Sequence, residues 1–83
     1  MVKSIKAEAY QAILPILASA RREAGLTQAE VAARLGKPQS YISKVEQGER
    51  RLDVVEFCLL ADAFGVEPGR LLQRIASQVL GST

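Results

Sequence analysis

The stretch Thr27–Gln47, TQAEVAARLGKPQSYISKVEQ, carries the pattern that decides the fold. It holds two short segments with helical spacing of apolar residues, joined at Gly36. Thr27 with Glu30 three residues later has the spacing of a capping box, which predicts the start of a helix. Gly36 predicts its end, because glycine adopts a positive φ without a Cβ penalty. The stretch therefore predicts two short helices, the second starting at Pro38.

Three further helices are predicted around this pair, and no strand-like alternation interrupts them. The first runs over about residues 5–24 and contains Pro15 on its solvent side, which favours one bent helix over a break behind an N-terminal arm. Asp53 caps a helix that is apolar on most sides, so we expect that helix to be the most buried. Pro68 starts the last helix, residues 68–80.

Length and composition exclude several classes of protein. Eighty-three residues predict one domain over residues 1–83, with no separate effector-binding domain. The chain has no histidine and one cysteine, so we expect no catalytic residue, metal or cofactor. Cys58 lies among apolar neighbours and is predicted to be an inert core thiol. No stretch resembles a signal peptide or membrane span, which predicts a cytoplasmic protein.

The basic charge of the chain is concentrated in its middle. Residues 34–51 carry five basic and two acidic side chains, a net charge of +3, whereas residues 52–83 carry two basic and four acidic ones. When the apolar side chains of Thr27–Gln47 face the core, the helix that starts at Pro38 projects four polar side chains outward: Gln39, Ser40, Ser43 and Lys44. A polar, weakly basic helix start of this kind is suited to the edges of nucleic-acid bases.

The residues around this helix pair resemble one family. The similar positions are Thr27-Gln28, Ala32, Gly36, Gln39-Ser40, Ile42, Val45-Glu46, Gly48 and Arg50-Arg51. They resemble the Cro/lambda-repressor-like helix-turn-helix proteins, also called the XRE family, over about residues 7–75. The resemblance implies an all-α, five-helix lambda-repressor-like domain with the helix-turn-helix at residues 27–47. It also implies double-stranded DNA as the partner.

The resemblance assigns roles to individual residues. It implies base reading by the four outward side chains of the helix that starts at Pro38 and a structural ion pair between Arg21 and Glu46. It also implies contacts to the DNA backbone by Gln28, Gln47, Arg50 and Arg51, and Tyr41 is a further candidate for contact with the sugar-phosphate surface. The alternatives remain solvated glutamines and serines, a solvated charged face, and a Tyr41 that packs at the helix edge.

The function favoured by these features is a transcriptional repressor, located with the nucleoid, that binds a pseudo-palindromic operator as a homodimer. The last helix, residues 68–80, is the expected dimer contact, because Val79 and Leu80 extend its apolar pattern beyond what a small core requires. Those two residues could instead fold back on the first helix. Two alternative functions stay open: an antitoxin-type autorepressor, and a helical protein-interaction module without DNA binding.

Overall fold

Five helices form the part of the chain that the computed structural model describes, residues 5–81, with side chains described from residue 7 onward. They are α1 (Ile5–Glu23), α2 (Gln28–Leu35), α3 (Gln39–Glu46), α4 (Val54–Phe64) and α5 (Pro68–Leu80). No strand occurs in residues 5–81, and the predicted all-α, five-helix class is confirmed.

Helix α1 is continuous through Pro15, so the alternative of a break after an N-terminal arm is wrong. Pro15 is exposed, whereas Leu14 and Leu17 are buried on the other side of the helix. A proline on the solvent side costs the helix one backbone hydrogen bond without disturbing the packed side.

The capping box predicted at Thr27 and the cap predicted at Asp53 are both present. The Thr27 hydroxyl accepts from the Glu30 backbone N–H at 3.1 Å, and the Glu30 carboxylate accepts from the Thr27 N–H at 2.8 Å. Asp53 and Glu56 repeat the arrangement at the start of α4. Helix α3 differs, because Pro38 occupies its N-cap position and provides no side-chain hydrogen bond. It begins at Gln39, one residue later than predicted.

The core is shared by all five helices. Its most deeply buried large side chains are Leu17, Val31, Ile42, Val45, Leu60 and Leu71. Helix α2 packs against α3 and α4, helix α1 packs against α3 and α5, and α4 packs against α5. The apolar inner face of α3 is thereby fixed on α1 and α2, and its polar side faces solvent.

Helix α4 is apolar on most sides, as expected, but it is not buried on all of them. Val54, Val55 and Leu59 are 78%, 66% and 54% exposed, and Cys58 is exposed as well. Only the face of α4 that carries Leu60, Ala61 and Phe64 is buried, because among residues 5–81 no helix covers the other side. Cys58 is therefore a surface thiol and not the core thiol predicted from its apolar neighbours.

Candidate nucleic-acid interface

The outward side of α3 presents the four predicted reading residues on one surface. Gln39, Ser40 and Lys44 are exposed and Ser43 is half-buried. The Ser43 hydroxyl accepts a hydrogen bond from Gln47 Nε2 at 3.3 Å, which joins a reading position to a predicted backbone-contact position. The inner side of the helix is held by the buried core, so these polar groups sit on a rigid support.

A row of hydrogen bonds fixes the side chain of Gln39. Gln39 Nε2 donates to Gln28 Oε1 at 2.9 Å, and Gln28 Nε2 donates to Glu46 Oε1 at 2.9 Å. The carboxylate of Glu46 can only accept, so it sets the direction of both bonds along the row. Gln39 keeps its amide oxygen and its second N–H for a ligand. We call these three residues, together with Arg21, the Gln39–Arg21 row.

The Gln39–Arg21 row ends in a buried ion pair. Arg21 Nε lies 2.7 Å from Glu46 Oε2, and both side chains are 10% exposed. The Arg21 guanidinium also donates to the Leu26 carbonyl oxygen at 2.8 Å. Burial alone would raise the pKa of Glu46, but hydrogen bonds from Arg21 and Gln28 and the charges of Arg21 and Arg22 outweigh it. The pKa of Glu46 is therefore lowered.

Tyr41 and Arg50 connect α3 to the start of α4. Tyr41 is half-buried, with Lys37 Nζ at 5.2 Å and the Arg50 guanidinium carbon at 5.1 Å from its ring centre. Arg50 binds both carboxylate oxygens of Glu56, at 3.2 and 2.5 Å. Burial, followed by the charge of Glu56, raises the pKa of Tyr41. Both side chains thus have internal partners as well as a surface position.

The side chain of Arg51 packs on α1. Its guanidinium carbon is 4.5 Å from the ring centre of Tyr10, and the Tyr10 hydroxyl accepts from the Leu52 N–H at 3.1 Å. The Arg51 side chain therefore faces α1, whereas Gln28 belongs to the Gln39–Arg21 row and Gln47 lines a groove with Gln28 and Glu46. The predicted set is spread over more than one part of the surface.

One polar strip of α1 was missed by the sequence reasoning. Gln11, Ser19 and Arg22 line a surface groove together with Gln28 and Gln47. The signal was present in the sequence, because positions 11, 15, 19 and 22 recur at helical spacing on one side of α1. The charge of Arg22 does not stand out in the sequence, because residues 1–33 carry four basic and three acidic side chains.

Two other features, a metal site and a membrane-spanning helix, are not found among the described residues. Within residues 5–81, no group of Cys, Asp and Glu side chains is placed to hold a metal ion. None of the five helices in this range is long and apolar enough to cross a membrane.

The fold and this surface define a helix-turn-helix protein. Helices α2 and α3 are joined through Gly36, whose φ of 66° makes the turn, and α3 presents its polar side to solvent. The helix-turn-helix family model matches residues 17–71.

Comparison with known proteins gives the family. The chain is 49% identical to a solved XRE-family like protein from Pseudomonas syringae pv. tomato str. DC3000, with a TM-score of 0.81 over 88% of this chain and 89% of that one. It is 52% identical over 46 residues to the uncharacterized HTH-type transcriptional regulator y4dJ of Sinorhizobium fredii. That match covers 55% of this chain and 60% of the relative. The chain belongs to the XRE-type helix-turn-helix family, which comprises DNA-binding regulators and not enzymes.

Proposed function

We propose that the protein is a sequence-specific DNA-binding transcriptional regulator that represses by binding a pseudo-palindromic operator as a homodimer. The observation that carries the proposal is the Gln39–Arg21 row. It holds a polar reading group in one orientation at the exposed start of α3, before any ligand arrives. Such an arrangement reduces the side-chain ordering that binding would otherwise require.

Base reading is assigned to the exposed side of α3. The free oxygen and second N–H of the Gln39 amide match the N6 donor and N7 acceptor of adenine in the major groove. Lys44 can donate to guanine, and Ser40 and Ser43 can bond to either base type at close approach. Selection of binding sites with the purified protein would give the operator sequence and the bases read.

Backbone contacts position the helix in the groove and carry no sequence information. Gln28 has one N–H left after its two bonds in the row, which suits a phosphate oxygen. We propose contact with the DNA backbone for Gln47, Tyr41, Arg50 and Arg51 as well. Arg50 is expected to contribute least of the charged residues, because Glu56 already binds its guanidinium.

Salt dependence tests the DNA-binding proposal directly. Lys44, Arg50 and Arg51 of each protomer bring about six positive charges of a dimer close to the DNA, so the slope of log K against log salt should be near −5. The measurement is a titration of labelled operator DNA at several salt concentrations. Affinity that does not change between low and physiological salt would contradict DNA binding.

A homodimer follows from the size of the reading surface. One domain places one recognition helix in the groove and covers few base pairs, which is rarely enough to select a site in a genome. Two-fold pairing would double these contacts and require half-sites about 10 bp apart, or a multiple of this spacing. We propose that the operator has this symmetry.

The apolar surface around α5 is proposed as the dimer contact. Val54 and Leu72, 78% and 54% exposed, border an apolar cavity of about 210 Å³ between α1, α4 and α5. Val79 lies beside Tyr10 of α1 but remains 45% exposed, and Leu80 is 78% exposed. Folding back on α1 therefore covers Val79 only in part. Leu72 is also available for contact with a second copy.

Sedimentation equilibrium of the wild type and of a chain ending at Ser77 tests the dimer. The shorter chain lacks Val79 and Leu80, and Leu72→Lys places a charge beside the cavity. Both changes should weaken self-association, with the helical content of the monomer preserved. Arg70→Ala, on α5 but polar and exposed, is the control. A wild type that stays monomeric at high micromolar concentration, with and without palindromic DNA, would refute the dimer.

Repression and location complete the proposal. A dimer seated on an operator that overlaps a promoter would exclude polymerase, and the protein would lie in the cytoplasm on the nucleoid. A reporter gene placed behind the selected operator tests this directly. Its expression should fall when the protein is supplied and recover with Gln39→Ala, whereas a rise in expression would identify an activator.

A further inference from the structure

Arg22, at the last turn of α1, stands between two surface grooves that flank Gln28. The first groove runs from α1 over the start of α2 to Gln39. The second runs along α1 to the end of α3 and is lined by Gln11, Ser19, Gln28 and Gln47 among others. Arg22 and Gln28 line both grooves. An exposed cation therefore lies beside the Gln39–Arg21 row, on a helix outside the helix-turn-helix unit.

The guanidinium of Arg22 has no internal partner among the described residues, unlike those of four other arginines. Arg21 is paired with Glu46, Arg50 with Glu56, and Arg74 with Glu23. The fourth, Arg34, donates to the Ala63 carbonyl oxygen at 2.7 Å, which ties α2 to α4. Many of the basic side chains are thus already bound to acceptor groups of the protein itself. Arg22 keeps its full donor set for a ligand.

The second groove is suited to an anion. Its polar lining is neutral apart from Arg22 and Glu46, and Glu46 is already neutralised by Arg21. The amides of Gln11 and Gln47 and the hydroxyl of Ser19 add donors without charge. Arg22 supplies the positive charge and a planar fork that matches phosphate oxygens.

We propose that Arg22 anchors a DNA phosphate and extends the DNA-binding surface from the helix-turn-helix onto α1. The inference rests on the DNA-binding function proposed above. Arg22 positions the duplex against α1 while α3 reads the bases, so it adds affinity and no sequence preference. The neighbouring groove formed by Gln11, Ser19 and Gln47 receives the same strand.

The test compares three variants of Arg22 with a matched control. Arg22→Ala and Arg22→Gln remove the charge, Arg22→Lys keeps it, and Arg70→Ala removes an exposed charge from α5, which packs on α1 and α4. Operator binding is titrated at several salt concentrations. Losing one phosphate contact in each protomer should make the salt slope shallower by about 2. The affinity defect should then be about tenfold larger at 50 mM than at 200 mM salt.

The outcomes separate this inference from the proposed function. Support requires a shallower slope with Arg22→Ala and Arg22→Gln, recovery with Arg22→Lys, an unchanged slope with Arg70→Ala and unchanged selected sequences. An unchanged slope with Arg22→Ala, or an equal change with Arg70→Ala, overturns the phosphate contact. A changed base preference assigns Arg22 to base reading and also overturns it. A wild type without salt-dependent binding refutes the proposed function itself.

Thermal unfolding separates a lost contact from a lost fold. Because the charge of Arg22 also helps to lower the pKa of Glu46, its removal acts weakly on the buried pair. Arg22→Gln keeps the length of the side chain and should unfold close to the wild type. If the slope changes only in variants whose melting temperature collapses, Arg22 is structural and the inference is wrong.

Discussion

The two ends of the molecule are built in opposite ways. At the α2–α3 end, polar side chains meet one another in the Gln39–Arg21 row and leave a small set of unused donors and acceptors. At the α4–α5 end, Val54 and Leu72 stand more than half exposed beside an apolar cavity, and Leu59 of α4 is also 54% exposed. At the α2–α3 end, the polar groups already bond to one another without a partner molecule. The α4–α5 end leaves apolar surface exposed.

This contrast shows what each end can recognise. Preset polar groups give directional bonds to a polar ligand, so the α2–α3 end can discriminate between ligands of similar shape. Apolar surface is non-directional and gains free energy from any cover that excludes water. The proposed DNA-facing end and the proposed self-associating end are therefore separable by mutation, and each prediction below tests one side of this contrast.

The largest effect is expected in the buried pair. Glu46→Ala leaves Arg21 buried without its partner, which should lower the free energy of unfolding by about 3–5 kcal/mol. The exposed pair Arg74–Glu23, with side chains 43% and 63% exposed, is the matched control. Double-mutant cycles by chemical denaturation should give a coupling above about 1 kcal/mol for the buried pair and about 0–1 kcal/mol for the exposed one.

Equal coupling in the two cycles would remove the distinction between a buried and a surface pair. Coupling near zero for Arg21 and Glu46 would also mean that the row does not hold Gln39 by way of α1. Glu46→Gln serves where Glu46→Ala fails to fold, since it keeps the shape and one acceptor oxygen.

The next effect is expected at the reading group. Gln39→Ala should cost roughly 1–3 kcal/mol on the selected operator and relax the preference at one base position. Arg51→Ala should weaken binding to all sequences alike, because its charge acts on the backbone. The measurement is site selection with each variant. Identical base profiles for the wild type and Gln39→Ala would show that Gln39 does not read bases.

The sequence predicted the α2–α3 end better than the α4–α5 end, for a physical reason. Local signals such as the Thr27–Glu30 capping box and Gly36 act within a few residues, so they determine helix bounds directly. The exposure of Cys58 and Leu72 depends on which faces of α4 and α5 another helix covers, and periodicity does not state this. Partners that lie far apart along the chain, such as Arg74 and Glu23, which are 51 residues apart, cannot be recognised from a count of charges.

A smaller effect is expected on acidification. The pKa of Glu46 is lowered in the folded chain, by Arg21 and Gln28 acting against the opposite effect of burial. The stabilisation is therefore fully present above the ordinary carboxyl pKa of about 4.3 and is lost as the pH falls through the lowered value. Unfolding curves of the wild type and Glu46→Gln should converge at acid pH. Parallel curves from neutral to acid pH would show that Glu46 titrates normally.

The smallest effect is expected at Cys58. A thiol in the core would lose packing on replacement, whereas an exposed thiol on α4 has little packing to lose. Cys58→Ser should change the free energy of unfolding by less than about 0.5 kcal/mol.

In the wild type, the reactivity of the same thiol measures how exposed the α4–α5 end is, because Cys58 is the chain's single cysteine. Its rate of reaction with a thiol reagent should be that of a free surface group in dilute protein. The rate should fall as the protein concentration rises if a second copy covers α4. A rate that is slow at every concentration would show that Cys58 is buried and that the outer face of α4 is covered in the monomer.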